Sequence, residues 1–160
     1  MFRKTRALSL TVGLVCALLA MGATALAATG KKGKADSGTS HVGTTHSDSK
    51  FTYSAGDNAD KLLGAGAVTY KLKVGSTPTA GAVALTAKPV RLFTATGSLI
   101  GTGSATLTVT GPTTATVSNG KLKLTRGTGA QKGHSFVGTF TGSGNPTTGQ
   151  YVFHYKGTYK

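Results

Sequence analysis

The chain has 160 residues and carries 18 lysines and arginines against 4 acidic residues, all of them aspartate, for a formal net charge of +14 with a single cysteine and no tryptophan. So few carboxylates leave little material for the paired acids of a glycosidase, and one cysteine cannot build a disulfide framework. The charge raises nucleic acid as a partner, but the dispersed lysines and the lack of tryptophan for stacking argue against it, leaving solubility or affinity for an anionic surface.

Residues 1–27, MFRKTRALSLTVGLVCALLAMGATALA, open with Arg3, Lys4 and Arg6, continue in an apolar run and end in the small triplet Ala25-Leu26-Ala27. That is the layout of a secretory signal peptide, so cleavage after Ala27 and a secreted, extracellular protein are expected, with no transmembrane span left after cleavage. The competing reading is a permanent anchor, since the run is nearly long enough to span a bilayer. Thr11, Gly13, Gly22 and Thr24 dilute it. Cys16 lies within the run behind Val15, where lipid attachment needs a small residue, and it leaves with the leader. Discounting the three leader cations takes the charge from +14 to +11.

Residues 28–50, ATGKKGKADSGTSHVGTTHSDSK, hold one branched aliphatic side chain, Val42, and no aromatic. Nothing there offsets the entropy of ordering, so a flexible basic linker is expected. His41 and His46 could share a metal ion, but no carboxylate or thiolate pattern completes a site, and neither metal nor cofactor is expected.

From Phe51 apolar and polar residues alternate with period two, and residues 51–160 read as one all-β domain. SAGDNADKLLGAG is the one stretch with room for a short helical turn, capped by Asp57 or Asn58. VTYKLKV then sets Val68, Tyr70, Leu72 and Val74 on one face and Lys71 and Lys73 on the other. AVALTA, PVRLFTA, SATLTVT, TTATVS, KLKLTR, HSFVGTFTG and QYVFHYKGTY continue the pattern, each bounded by Gly, Pro or Asn. About eight strands with brief connections predict a single antiparallel β-barrel, since closure removes exposed edges. An outer-membrane barrel is disfavoured because the strands look shorter than the roughly ten residues a tilted membrane strand needs. The apolar face is therefore placed inside and the lysines outside.

Two motifs need a chemical reading. GTGAQKG, residues 127–133, is tempting as a phosphate loop, but the HSFVGTF that follows alternates as a strand where a helix N-terminus is needed, so its glycines are assigned to a strand connection. Asn119-Gly120 has the composition of a hairpin turn. No G-x-S-x-G elbow is present, and His134 and His154 are read as exposed strand histidines. The interior candidates are Tyr70, Phe93, Phe136 and Phe140, with Tyr151, Phe153 and Tyr155 from the last strand. They either fill the barrel or line a pocket for one small ligand. Lys71, Lys73, Arg91, Lys121, Lys123 and Lys156 are the candidates for an anionic surface.

The run GKLKLTRGTGAQKGHSFVGTFTGSGNPTTGQYVFHYKGTYK resembles the end of bacterial secreted proteins of the allene oxide cyclase barrel-like and dirigent-like superfamily. The resemblance rests on Gly127-Thr128-Gly129, on GTFTGSG at residues 138–144 and on YVFHYKGT at residues 151–158, with FTATGSLIGTGSATLTVT upstream, and it covers Leu92 to Lys160. It implies an eight-stranded barrel of lipocalin-like shape with a central cavity. Plant members cyclise an unsaturated oxylipin or steer the radical coupling of phenols. The cyclases rely on a cavity glutamate, which this chain lacks, and dirigent proteins on cavity aspartates and an arginine; Asp57 or Asp60 is placed to reach a rim, but no motif aligns them. The fold is therefore carried over and the activity is not. The leading expectation is a non-catalytic secreted barrel that binds a small apolar or phenolic ligand inside, or an anionic envelope polymer outside. A dirigent- or cyclase-like enzyme and a packed structural envelope protein are the alternatives.

Overall fold

A computed structural model describes residues 32–75 and 81–160, and the leader at residues 1–27 lies outside them. The described chain forms eight strands: β1 (Lys34–Ser47), β2 (Thr52–Asp60), β3 (Gly64–Val74), β4 (Ala82–Thr94), β5 (Gly97–Gly111), β6 (Thr114–Gly129), β7 (Phe136–Asn145) and β8 (Gln150–Tyr159). Each pairs antiparallel with the next, and β8 returns to β1 from Lys34–Tyr159 to Gly43–Gln150, closing the barrel. The all-β, single-barrel expectation is met.

Eight is the expected count, but the pieces differ. AVALTA and PVRLFTA are one strand, because the ladder steps over Pro89, which has no amide hydrogen: Ala87 pairs with Gly103 and Val90 with Gly101. TTATVS and KLKLTR are likewise one strand. Asn119, at φ 52°, is the extra residue of a bulge and not the corner of a hairpin, since Val117 pairs with Gly142 and Gly120 with Phe140. At GTGAQKG the expectation holds, and Gly129 (φ 58°) and Gly133 (φ 81°) make the β6–β7 connection.

The expected linker at residues 28–50 is corrected over Lys34–Ser47 by β1, while its first residues, 28–31, lie outside the described residues. This strand offers little apolar surface, yet its backbone is paired on both sides, by β2 and by β8. Its inward positions are small or polar (Asp36, Gly38, Ser40) with Val42 above them, and Ser40 is satisfied by Asn58 of β2. The expected helical turn is corrected too. SAGDNAD belongs to β2, and the turn that follows is capped by Asp60, whose Oδ1 accepts the amides of Leu62 (2.9 Å) and Leu63 (2.8 Å).

The barrel interior is graded from one end to the other. At the end where β1 begins, Leu99, Leu124 and Phe136 are fully buried and close the floor. Glycines make room for the rings above and beside them. A Cβ on Gly142 would fall 2.5 Å from Phe153 Cδ1, and one on Gly157 2.7 Å from Phe136 Cζ. Small and large residues thus alternate across β7 and β8, which fits bulky rings into a narrow barrel. The strands run from 9 to 16 residues, so the length argument against a membrane barrel does not hold. Apolar side chains cluster inside the barrel, around Val68, Leu92 and Leu99, as expected. No described helix is long and apolar enough to cross a membrane.

Candidate functional site

Above the floor the barrel is hollow. A cavity of about 550 Å³ opens toward the end that carries the β1–β2, β5–β6 and β7–β8 hairpins. That volume is in the range of small-molecule pockets. Its walls are aliphatic, with Leu72 and Leu85 near the mouth, Val90 and Leu122 at mid-height, and Leu92 and Leu124 at the bottom. None of the described lining residues is charged. The β7–β8 hairpin is drawn over the mouth by Thr147, whose hydroxyl donates to the Pro112 carbonyl of the β5–β6 hairpin at 2.7 Å.

Five of the seven interior candidates line this space: Tyr70, Phe140, Tyr151, Phe153 and Tyr155. Phe153 is the hub. It meets Phe140 edge-on (5.7 Å, 88°) and Tyr70 edge-on (6.5 Å, 73°), and stacks beside Tyr151 (6.0 Å, 9°). Phe136 is interior but forms the floor beneath the cavity, edge-on to Tyr155 (5.7 Å, 85°). Phe93 is a correction: it follows inward Leu92 on β4, so strand alternation turns it outward, where it is 38% exposed.

Polar groups gather on the β1–β2–β8 side. Ser40 Oγ donates to Asn58 Oδ1, Asn58 Nδ2 donates to Tyr155 Oη (2.9 Å), and Tyr155 Oη donates to Asp60 Oδ2 (2.7 Å). Ser40, Asn58 and Tyr155 face the cavity, whereas Asp60 and its neighbour Asp36 are buried behind them and do not line it. Burial, and then the charge of Asp60, push the Asp36 carboxyl up to about 6. Its Oδ1 accepts the Ser37 amide (2.8 Å), while its buried Oδ2 has no partner. Burial and its donation to Asp60 raise the Tyr155 phenol, and burial lifts Tyr70 to about 12, so both stay protonated donors.

Sequence reasoning missed Ser40, Asn58 and Asp36 because β1 and β2 were not read as strands. The signal was there in the period-two series Asp36, Gly38, Ser40, Val42 and Ser54, Gly56, Asn58, Asp60, but it was written in small polar residues. Asp57 points outward beside His41 (3.3 Å), and no group of three metal-ligating side chains forms among the described residues. His134 is in the β6–β7 connection, and His154, on β8, bonds Thr39 (3.1 Å), so the two are not neighbours.

Of the six surface cations, Lys73, Arg91, Lys121, Lys123 and Lys156 are exposed on the outer wall. Lys71 is half-buried, with its ammonium 3.7 Å over the Phe51 ring. Comparison with protein-family models, with curated proteins and with solved structures finds no match to this chain.

Proposed function

We propose that this protein is a secreted, non-catalytic barrel that holds one small, uncharged and largely apolar molecule in its cavity. The observation that carries this reading is the hollow of about 550 Å³ whose described lining has no charged residue. An aliphatic wall offers affinity through apolar burial, about 25 cal/mol for each Å² removed from water. The Ser40–Asn58–Tyr155 strip gives such a guest one place to hydrogen-bond. A carboxylate guest would lose its hydration and meet no cation, with Asp60 just behind Tyr155. A dirigent- or cyclase-like reaction has less support, because the acids stand behind the wall and Arg91 and Arg126 are exposed.

Titration with a neutral, environment-sensitive dye such as Nile red tests the reading. The expected result is an emission rise that saturates at one dye per chain. Emission that climbs without saturation up to the solubility of the dye would contradict it.

A further inference from the structure

The strand register places the surface lysines in an order that the sequence conceals. Following paired residues around the outer wall, Lys73 on β3 lies opposite Thr86 on β4, Thr86 opposite Ser104 on β5, and Ser104 opposite Lys121 on β6. Lys121 faces Thr139 on β7, Thr139 faces Lys156 on β8, and Lys156 faces Ser37 on β1. Lys61, in the turn after β2, completes the row through its amide to the Ser37 carbonyl (2.9 Å). All eight positions are exposed. One unbroken row therefore crosses the whole barrel wall, with lysines separated by serines and threonines.

Strand spacing sets the dimensions. Lys121 to Lys156 and Lys156 to Lys61 each span two strand gaps, about 10 Å, and Lys73 to Lys121 spans three, about 14 Å. Those distances reach or exceed the screening length of about 8 Å at physiological salt, so each lysine meets its own anion and the row does not act as one merged field. No aspartate stands in the row itself: Asp48 caps the β1–β2 turn, Asp57 is beside His41, and Asp36 and Asp60 are buried, although Asp60 borders the depression between Lys156 and Lys61. Between Lys156 and Lys61 the row passes along a shallow depression in the outer wall, edged by Thr139 and the His154–Thr39 pair.

We infer that this row is the docking track of a flexible, linear acidic polysaccharide, its carboxylates against Lys61, Lys73, Lys121 and Lys156 and its hydroxyls against the intervening Ser and Thr side chains. A bilayer is flat, and a row that winds around a convex barrel cannot lay all four lysines on a plane. A nucleic-acid duplex presents a charge about every 1.7 Å along its axis, far denser than this row. Single strands gain most from aromatic stacking, and no aromatic residue stands in the row. The track lies outside the barrel and is independent of any guest in the cavity.

The test uses polygalacturonate as the probe and two variants of equal net charge. One changes Lys61, Lys73, Lys121 and Lys156 to Gln, and the other changes Lys32, Lys50, Lys88 and Lys132, which stand off the row, to Gln. Far-ultraviolet circular dichroism checks that both remain folded. The row variant is expected to lose about tenfold or more in affinity at low salt, four screened ion pairs being broken, and to show a shallower salt dependence. The off-row variant is expected to stay within about threefold of the unaltered protein. Equal losses in the two variants would overturn the inference in favour of net charge alone. Tighter binding to duplex DNA or to phosphatidylglycerol vesicles than to polygalacturonate would overturn it in favour of those partners.

Discussion

Two glycines on β5, two residues apart, should respond to substitution with opposite signs. A Cβ on Gly103 would meet nothing nearer than the Lys121 carbonyl oxygen at 3.5 Å and Leu122 Cδ1 and Val90 Cγ2 at 3.7 Å, which are ordinary contacts, and beyond it lies the cavity. Gly103→Leu therefore sends its side chain into empty apolar space. Burying a leucine contributes about 1.5–3 kcal/mol when its surroundings are complete. Here the guest space is only partly filled, so about 1 kcal/mol is taken from burial and about 0.5 kcal/mol from the lost flexibility of glycine in the unfolded chain. A Cβ on Gly101, in contrast, would sit 1.9 Å from the Lys123 carbonyl oxygen and 2.7 Å from Leu124 Cα. Both are backbone atoms that cannot step aside, so Gly101→Ala should cost about 1–3 kcal/mol. Urea unfolding measures both, with an unchanged slope as evidence that the same surface is exposed. A Gly103→Leu protein less stable than the original by 1 kcal/mol or more would refute the reasoning, since it would mean that the space beside Gly103 is already filled.

Further expectations concern the closed end and the chain boundary. Because the folded-state Asp36 carboxyl titrates near 6 against an ordinary 3.8, the proton it holds stabilises the fold below about pH 4, and that contribution is lost as pH rises through 6. Asp36→Asn should remove this loss, raising stability at pH 7.5 by about 2 kcal/mol with little change at pH 4; an equal effect at both pH values would contradict the protonated carboxyl. Tyr155→Phe leaves Asp60 Oδ2 and Asn58 Nδ2 without their phenol partner and should cost about 1–3 kcal/mol, read by urea unfolding; an unchanged midpoint would dismiss the strip as a structural element. A chain beginning at Phe51 lacks β1 and leaves β2 and β8 as open edges, so it should aggregate or fail to give a cooperative transition, whereas one beginning at Lys32 should unfold cooperatively. A cooperative, monomeric fold from Phe51 would return residues 28–50 to the linker reading.

The barrel was legible because most strands announce themselves by alternation: Val68-Tyr70-Leu72 over Lys71-Lys73, or Leu122-Leu124 over Lys121-Lys123. What hid the rest was chemistry that alternation in hydropathy does not record. β1 and β2 put Ser40, Asn58 and Asp60 inward, where hydrogen bonds among themselves and with Tyr155 replace apolar burial. Pro89 and Asn119-Gly120 carry local turn signals that a closed sheet absorbs as bulges, and only the long-range register reveals that. Aromatic identity placed Phe93 inside, but its parity relative to Leu92 governs its direction. The lysine row was invisible for the same reason: Lys61, Lys73, Lys121 and Lys156 become neighbours only through pairings between distant strands.

The central claim is that the barrel is hollow and takes an uncharged guest, and a matched pair of titrations at pH 7.5 tests it most directly: decanol against decanoate, which share a chain and differ in the head group. The account predicts that decanol saturates one site per chain, that decanoate binds at least about tenfold more weakly because its charge meets no cation, and that Gly103→Leu, which takes part of the cavity, weakens decanol binding. Decanoate binding as tightly as decanol, or a decanol site untouched by Gly103→Leu, would contradict it.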